Sequence, residues 1–299
     1  MVQVLERVRD SAADAIFARV AGPDAAATRA RIHETPGPRW FAPGSPVQRV
    51  HGDASMFVGG LRALLLQSLH PLAMAGVAAH SGYRGDPWGR LQRTSTFIAT
   101  TTFATADDAQ RAVDAVRAVH ARVRGRAADG RPYSASDPDL LRWVHVAETQ
   151  SFLVAHQRYG HRPLDRAGCD EYVAQAAEVG VRLGVEDAPV TVAGLDDAVE
   201  GYRAHLVLTP AAADAARFLL VEPPLPAPAR AAYAGLAAAA RASLPAWARA
   251  GMPRVRGVPD RLAGPAGRIV TGAIRWALGT PGARAPQGGA GGRPATSTA

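Results

Sequence analysis

The chain has 299 residues, 47% hydrophobic and 20% charged, which suits one or two domains with a substantial core and argues against intrinsic disorder. Its formal net charge of +8 comes from arginine without any lysine; the arginines are scattered among acids, which argues against a nucleic-acid-binding protein. A single cysteine, Cys169, excludes a disulfide framework, a cysteine zinc site and a c-type haem attachment pair.

Residues 1–35 read as one or two amphipathic helices broken at Gly22-Pro23. Glu6, Arg7, Arg9 and Asp10 interrupt any apolar signal core. No run reaches the roughly 18 apolar residues of a membrane span; 61–79 comes closest and is broken by Arg62, Gln67, Ser68, His70 and Pro71. The expectation is a soluble, cytoplasmic protein with no membrane span. Residues 35–46, rich in proline and glycine, read as a loop docked through Trp40 and Phe41. Asp53 can cap an apolar helix over about 54–69, Pro71 forces a break after His70, and a second apolar helix runs to about His80.

The stretch 86–125 reads as two helices joined at Ala104-Thr105. Asp86-Pro87 opens the first, which carries Arg90, Arg93, Thr94, Phe97 and Thr101 on one face. Thr105-Ala106-Asp107-Asp108 resembles a capping box and launches the second, which carries Val113, Val116, His120 and Val123 on one face and stops at Gly125. Asp137-Pro138 starts a helix to about Tyr159 with Leu141, His145, Glu148 and Phe152 aligned. Helices over 168–183 and 195–207 follow. After the stiff proline run at 223–228 come an alanine-rich helix to about Arg249 and a last helix over 260–278. The tail, 279–299, has no apolar period and reads as disordered. Neither strand alternation nor a hairpin signal is read, so the fold class is all-α. The expected organisation is an N-terminal helical extension and loop over 1–46, one helical domain over 47–278, and the tail.

Chemistry is sought among the nine histidines. His33, His51, His70 and His80 lie in loops or at helix ends and read as structural. His120, inside a valine stripe, is either a neutral buried imidazole or the axial ligand of a haem iron. His145 and Glu148, three apart, could share a ligand. The Glu-x-x-His order of di-iron bundles is reversed here, however, and the His-Glu-x-x-His of zinc proteases is absent. Arg90 and Arg93 are either solvated surface cations or donors to haem propionates, with Thr94 one turn from Arg90. No dinucleotide, Walker or nucleophile-elbow motif occurs.

Several strings occur together in order: His51-Gly52-Asp53, Gly59-Gly60-Leu61-Arg62-Ala63-Leu64-Leu65-Leu66-Gln67 with His70-Pro71, and Tyr83-Arg84 with Asp86-Pro87-Trp88-Gly89-Arg90-Leu91 and Arg93-Thr94. Val119-His120 with Val123-Arg124-Gly125, and Leu140-Leu141 with Trp143-Val144-His145, follow them. Over about 47–248 this wording resembles the oxygenase MpaB and latex-clearing (rubber oxygenase) family. The resemblance implies a globin-like helical core binding haem b through one proximal histidine, and dioxygen chemistry on a small hydrophobic prenyl, terpenoid or lipid-like substrate, such as oxidative C=C cleavage. It implies that Arg90 and Thr94 stand beside the haem and that Arg93 replaces a distal lysine. His120 best matches the proximal ligand, with His145 as the second choice. The glutamate that latex-clearing enzymes carry upstream of the arginine has no counterpart in 71–81, which holds no acid. A non-catalytic haem-binding or sensor protein is the alternative. Oligomeric state is not legible.

Overall fold

A computed structural model describes residues 24–82 and 84–279, with a few isolated positions before them. Its elements in chain order are α1 (Ala25–Glu34), α2 (Pro46–His51), α3 (Met56–Gln67), α4 (Pro71–His80), α5 (Pro87–Phe103), α6 (Ala106–His120), β1 (Arg124–Arg126) and β2 (Pro132–Ser134). There follow α7 (Pro138–Tyr159), α8 (Arg166–Leu183), α9 (Val192–Tyr202), α10 (Pro210–Leu220), α11 (Ala227–Ser243), the short α12 (Ala246–Arg249) and α13 (Ala263–Leu278). The fold is all-α, as expected.

Most boundaries follow from local chemistry. The side chains of Asp86, Thr105, Asp137, Asp165, Thr191 and Thr209 each accept a backbone N–H from the first turn they precede, and proline sits in the first turn of α5, α7 and α10. These devices satisfy N–H groups that a helix start otherwise leaves unpaired. Pro71 breaks the apolar run as expected, and α3 and α4 diverge by 110° there. Among the described residues no single helix is long and apolar enough to cross a membrane; only the bent α3–α4 pair meets that measure.

The structure corrects the sequence reading in six places. A two-stranded antiparallel hairpin, β1 with β2, occurs where none was expected. Its signal is Asp129-Gly130: Gly130 takes a positive φ and the Asp129 carboxylate accepts the N–H of Arg131. Helix α6 therefore ends at His120 and not at Gly125, which lies in β1 under the ring of Tyr133. The short α2 and the alanine-rich α10 were not foreseen. The helix expected to run to Arg249 breaks at Leu244-Pro245. The 260–278 helix begins with a 3₁₀ turn, Asp260–Leu262. The readings for residues before 24 and for the tail lie largely outside the described residues.

Helices α3 and α7 form the central crossing. A Cβ on Gly59 would sit 3.1–3.3 Å from Phe152 and Ala155, so only glycine lets the two backbones approach this closely. Leu65, Leu66, Trp143 and Ala147 pack one side of the crossing together with Ala237 of α11. Val146, Phe152, Leu153, Tyr172 and Val173 pack the other with α2 and α9. At the periphery, the Arg275 guanidinium of α13 reaches the Asp53 carboxylate at 3.0 Å. Burial alone would raise the Asp53 pKa, but Arg275 and the N–H groups of Ser55 and His161 outweigh it and hold the carboxyl below its ordinary range. The pair thus contributes stability above the unfolded carboxylate pKa of about 4, and that stability is lost as pH falls through the lower folded value. Asp53→Asn should cost about 1–2 kcal/mol at pH 7, between the worth of exposed and buried pairs, and flatten the acid limb. Urea unfolding at pH 7 and pH 3 reads this; equal losses at both pH values would contradict it.

Candidate functional site

Helix α7 carries the site's backbone. His145 and Glu148 project from one face a single turn apart, where α7 meets α3 and α8. The imidazole of His145 rests on Gly180 of α8, where a Cβ would come within 2.9 Å of the ring atoms. Burial pushes its pKa down to about 4, with a smaller contribution from Arg142, so the ring is neutral. Its Nε2 is enclosed and finds no hydrogen-bond partner.

Glu148 is a carboxyl inside the protein. Burial raises its pKa, while a hydrogen bond with the Gln67 side chain and the charge of Arg90 hold back part of that rise. Gln67 is fixed at the end of α3, where its carbonyl oxygen accepts the indole N–H of Trp143 at 3.2 Å. Arg90 stands on the first turn of α5 and donates through Nη1 to the Ser81 hydroxyl after α4. Side chains from α3 and α5 thus act on one carboxyl of α7.

Behind Glu148 lies a polar chain. Thr102 of α5 donates to the Ile98 carbonyl at 2.7 Å, so its oxygen accepts from Nδ1–H of His51 at 2.8 Å. That tautomer leaves Nε2 of His51 to accept from the Tyr172 hydroxyl at 3.5 Å. Burial lowers the His51 pKa to about 4 and, together with the Glu148 charge, raises that of Tyr172. His51, His145 and Glu148 are surrounded by protein, yet each keeps part of its surface accessible. Two open surface depressions, one lined by Arg254, Asp260 and Arg261 and one by Asp139, Arg142, Tyr202 and His205, do not contain these groups.

His120 ends α6, packed with α5 and with the C-terminal part of α8, where Arg117 donates to the Arg182 carbonyl at 3.1 Å. Its Nδ1 is enclosed without a partner, and burial alone lowers its pKa, so no charged neighbour explains its position. Of the stripe neighbours, Val113 is buried and Val116 half-buried, while Val123 lies beyond the helix. His156 also has an unpartnered Nδ1, but it stands about 16 Å further along α7 than His145.

The other expected site residues divide. Arg90 joins the Glu148 group. Arg93 is 66% exposed and pairs with the Asp86 carboxylate at 3.3 Å, and Thr94 is exposed on the same helix. Sequence reasoning missed Gln67, His51, Thr102 and Tyr172 as partners of the site, and it noticed Glu148 only as a neighbour of His145. Helical spacing fixed the face of α7 that carries Glu148 but gave no sign of which helices meet it. Among the described residues no group of three or more His, Cys, Asp or Glu side chains could hold a metal ion together.

Residues 48–276 match the family described as ER-bound oxygenase mpaB/B'/rubber oxygenase, catalytic domain. No curated protein and no solved structure matches the chain.

Proposed function

Because the chain belongs to the mpaB/rubber oxygenase family over most of its length, we propose that it is a haem b-dependent oxygenase acting on a small hydrophobic prenyl, terpenoid or lipid-like substrate. The observation that carries this reading is the pair of enclosed imidazole nitrogens, on His120 and His145, without hydrogen-bond partners. A buried polar atom left unpaired costs about 1–3 kcal/mol, which binding of an electrophilic centre would offset. The ligand inventory points the same way: a chelated ion needs several protein ligands, whereas a porphyrin brings four nitrogens and needs one imidazole.

The residues present fit that group. In this reading His120 would hold the iron, with His145 as the second candidate. In this reading Arg90, half-buried on the first turn of α5, and Arg93, exposed one turn further on, would donate to the carboxylates of the group, since guanidinium–carboxylate bonds are strong. When bound, haem b supplies an iron that activates dioxygen. The chain's part is to orient and to manage protons. Glu148, held by Gln67 and facing Arg90, accepts or returns a proton at its carboxyl oxygen. The absent upstream glutamate favoured the sensor reading; an acid on α7 removes that reason to prefer it.

Oxygen uptake by the haem-loaded chain with a panel of isoprenoid alkenes tests the activity. Carbonyl products are expected. Haem binding without oxygen uptake on any member would favour the non-catalytic alternative. Glu148→Gln should lower turnover about 10²-fold, in the usual range for a lost acid–base group, with haem content unchanged.

A further inference from the structure

The scatter of arginines along the sequence hides a bias. Residues 249–299 hold eight arginines and one acid, Asp260, whereas the 248 residues before them hold 26 arginines and 25 acids. Nearly all the net charge therefore lies at the C-terminal end. Asp260 is itself engaged, bridging Arg241 at 3.3 Å and Arg254 at 3.7 Å.

The same region carries an uncovered apolar face. On its inner side α13 packs Val270 and Ala266 against Gly235, and Gly267 against Ala239 and Tyr159. On its outer side Leu262, Pro265, Ile269, Ala273 and Trp276 follow at spacings of three and four, all exposed. Ile269 is 72% exposed and Trp276 50%. Arg261 and Arg268, both exposed and seven apart, run along the flank of this stripe. Arg254, 82% exposed, and Arg256 add to the same end of the molecule.

We propose that the outer face of α13 docks on an anionic phospholipid surface, with Ile269 and Trp276 entering the headgroup boundary and Arg261 and Arg268 meeting lipid phosphates. An apolar stripe containing tryptophan and edged by cations has the composition of a helix that lies in a membrane interface. A protein partner or a second copy would not require the concentration of positive charge, and nucleic acid would not require the exposed isoleucine and tryptophan. Anionic lipid uses both.

Co-sedimentation of the full chain with vesicles tests this. Binding is expected to phosphatidylcholine vesicles containing 30% phosphatidylglycerol, falling with salt, and to pure phosphatidylcholine only weakly. Ile269→Glu with Trp276→Glu should lower partitioning at least tenfold, and Arg261→Gln with Arg268→Gln about fivefold for each arginine removed. Both pairs are at the surface, and an unchanged circular dichroism spectrum shows that each variant is folded. Absence of anionic-vesicle binding at low salt, or binding that neither pair alters, overturns the proposal. So does a self-association, or a DNA retention, that the variants abolish while vesicles are ignored.

Discussion

His120→Ala should lower haem affinity by on the order of tenfold or more and remove the Soret band of the histidine-bound form, since a ligand bond worth 1.4 kcal/mol already corresponds to a factor of ten. Folding should be little affected: Nδ1 of this imidazole makes no hydrogen bond that alanine would break, and the ring is only half-buried. His145→Ala is the paired variant. It leaves space beside Gly180 and should shift the spectrum without emptying the site. The reverse pattern, with the band kept in His120→Ala and lost in His145→Ala, would move the axial ligand to α7.

The second large effect is on stability. Arg62 is 2% exposed and, among the described residues, forms no direct ion pair, although the charge of Asp196 acts on it. Its guanidinium donates to the Ser151 hydroxyl at 2.6 Å, the Gln150 amide oxygen at 2.9 Å and the Ser243 carbonyl at 3.3 Å, tying α3 to α7 and to the end of α11. Burial, and to a lesser extent Arg158, lowers its pKa to about 10, so it stays charged at neutral pH. Arg62→Met keeps most of the volume but strands two buried acceptors and one half-buried one at the central crossing. The expected loss is about 2–4 kcal/mol, from unpaired polar groups and imperfect packing together. Urea unfolding measures it; a loss under about 0.5 kcal/mol would mean that water or neighbouring groups satisfy those acceptors.

The helices were legible where one residue decides. Asp86, Thr105 and Asp137 each mark a start, and Pro71 marks a break, because capping and the proline ring act within a turn. Helix α10 was missed because its alanines, Ala211 to Ala216, give little contrast between faces, and α2 because six residues show no period. The hairpin was missed although Asp129-Gly130 is a recognisable turn signal, because three-residue strands leave no alternation to read. The site was half legible. Spacing put Arg90 on α5, His120 on α6, and His145 with Glu148 on one face of α7. The meeting of Glu148 with Gln67 and Arg90, 81 and 58 residues earlier in the chain, depends on how helices cross, and helical period does not carry that information. The same holds for the link from His51 through Tyr172, 121 residues apart.

The central claim is that an imidazole of this chain grips the iron of a porphyrin. Haem content and the visible spectrum of the full chain, purified from haem-replete cells, test it most directly. About one haem b per chain is expected, with a Soret band that is lost in the His120→Ala variant; a colourless protein that takes up no haem on titration would contradict this.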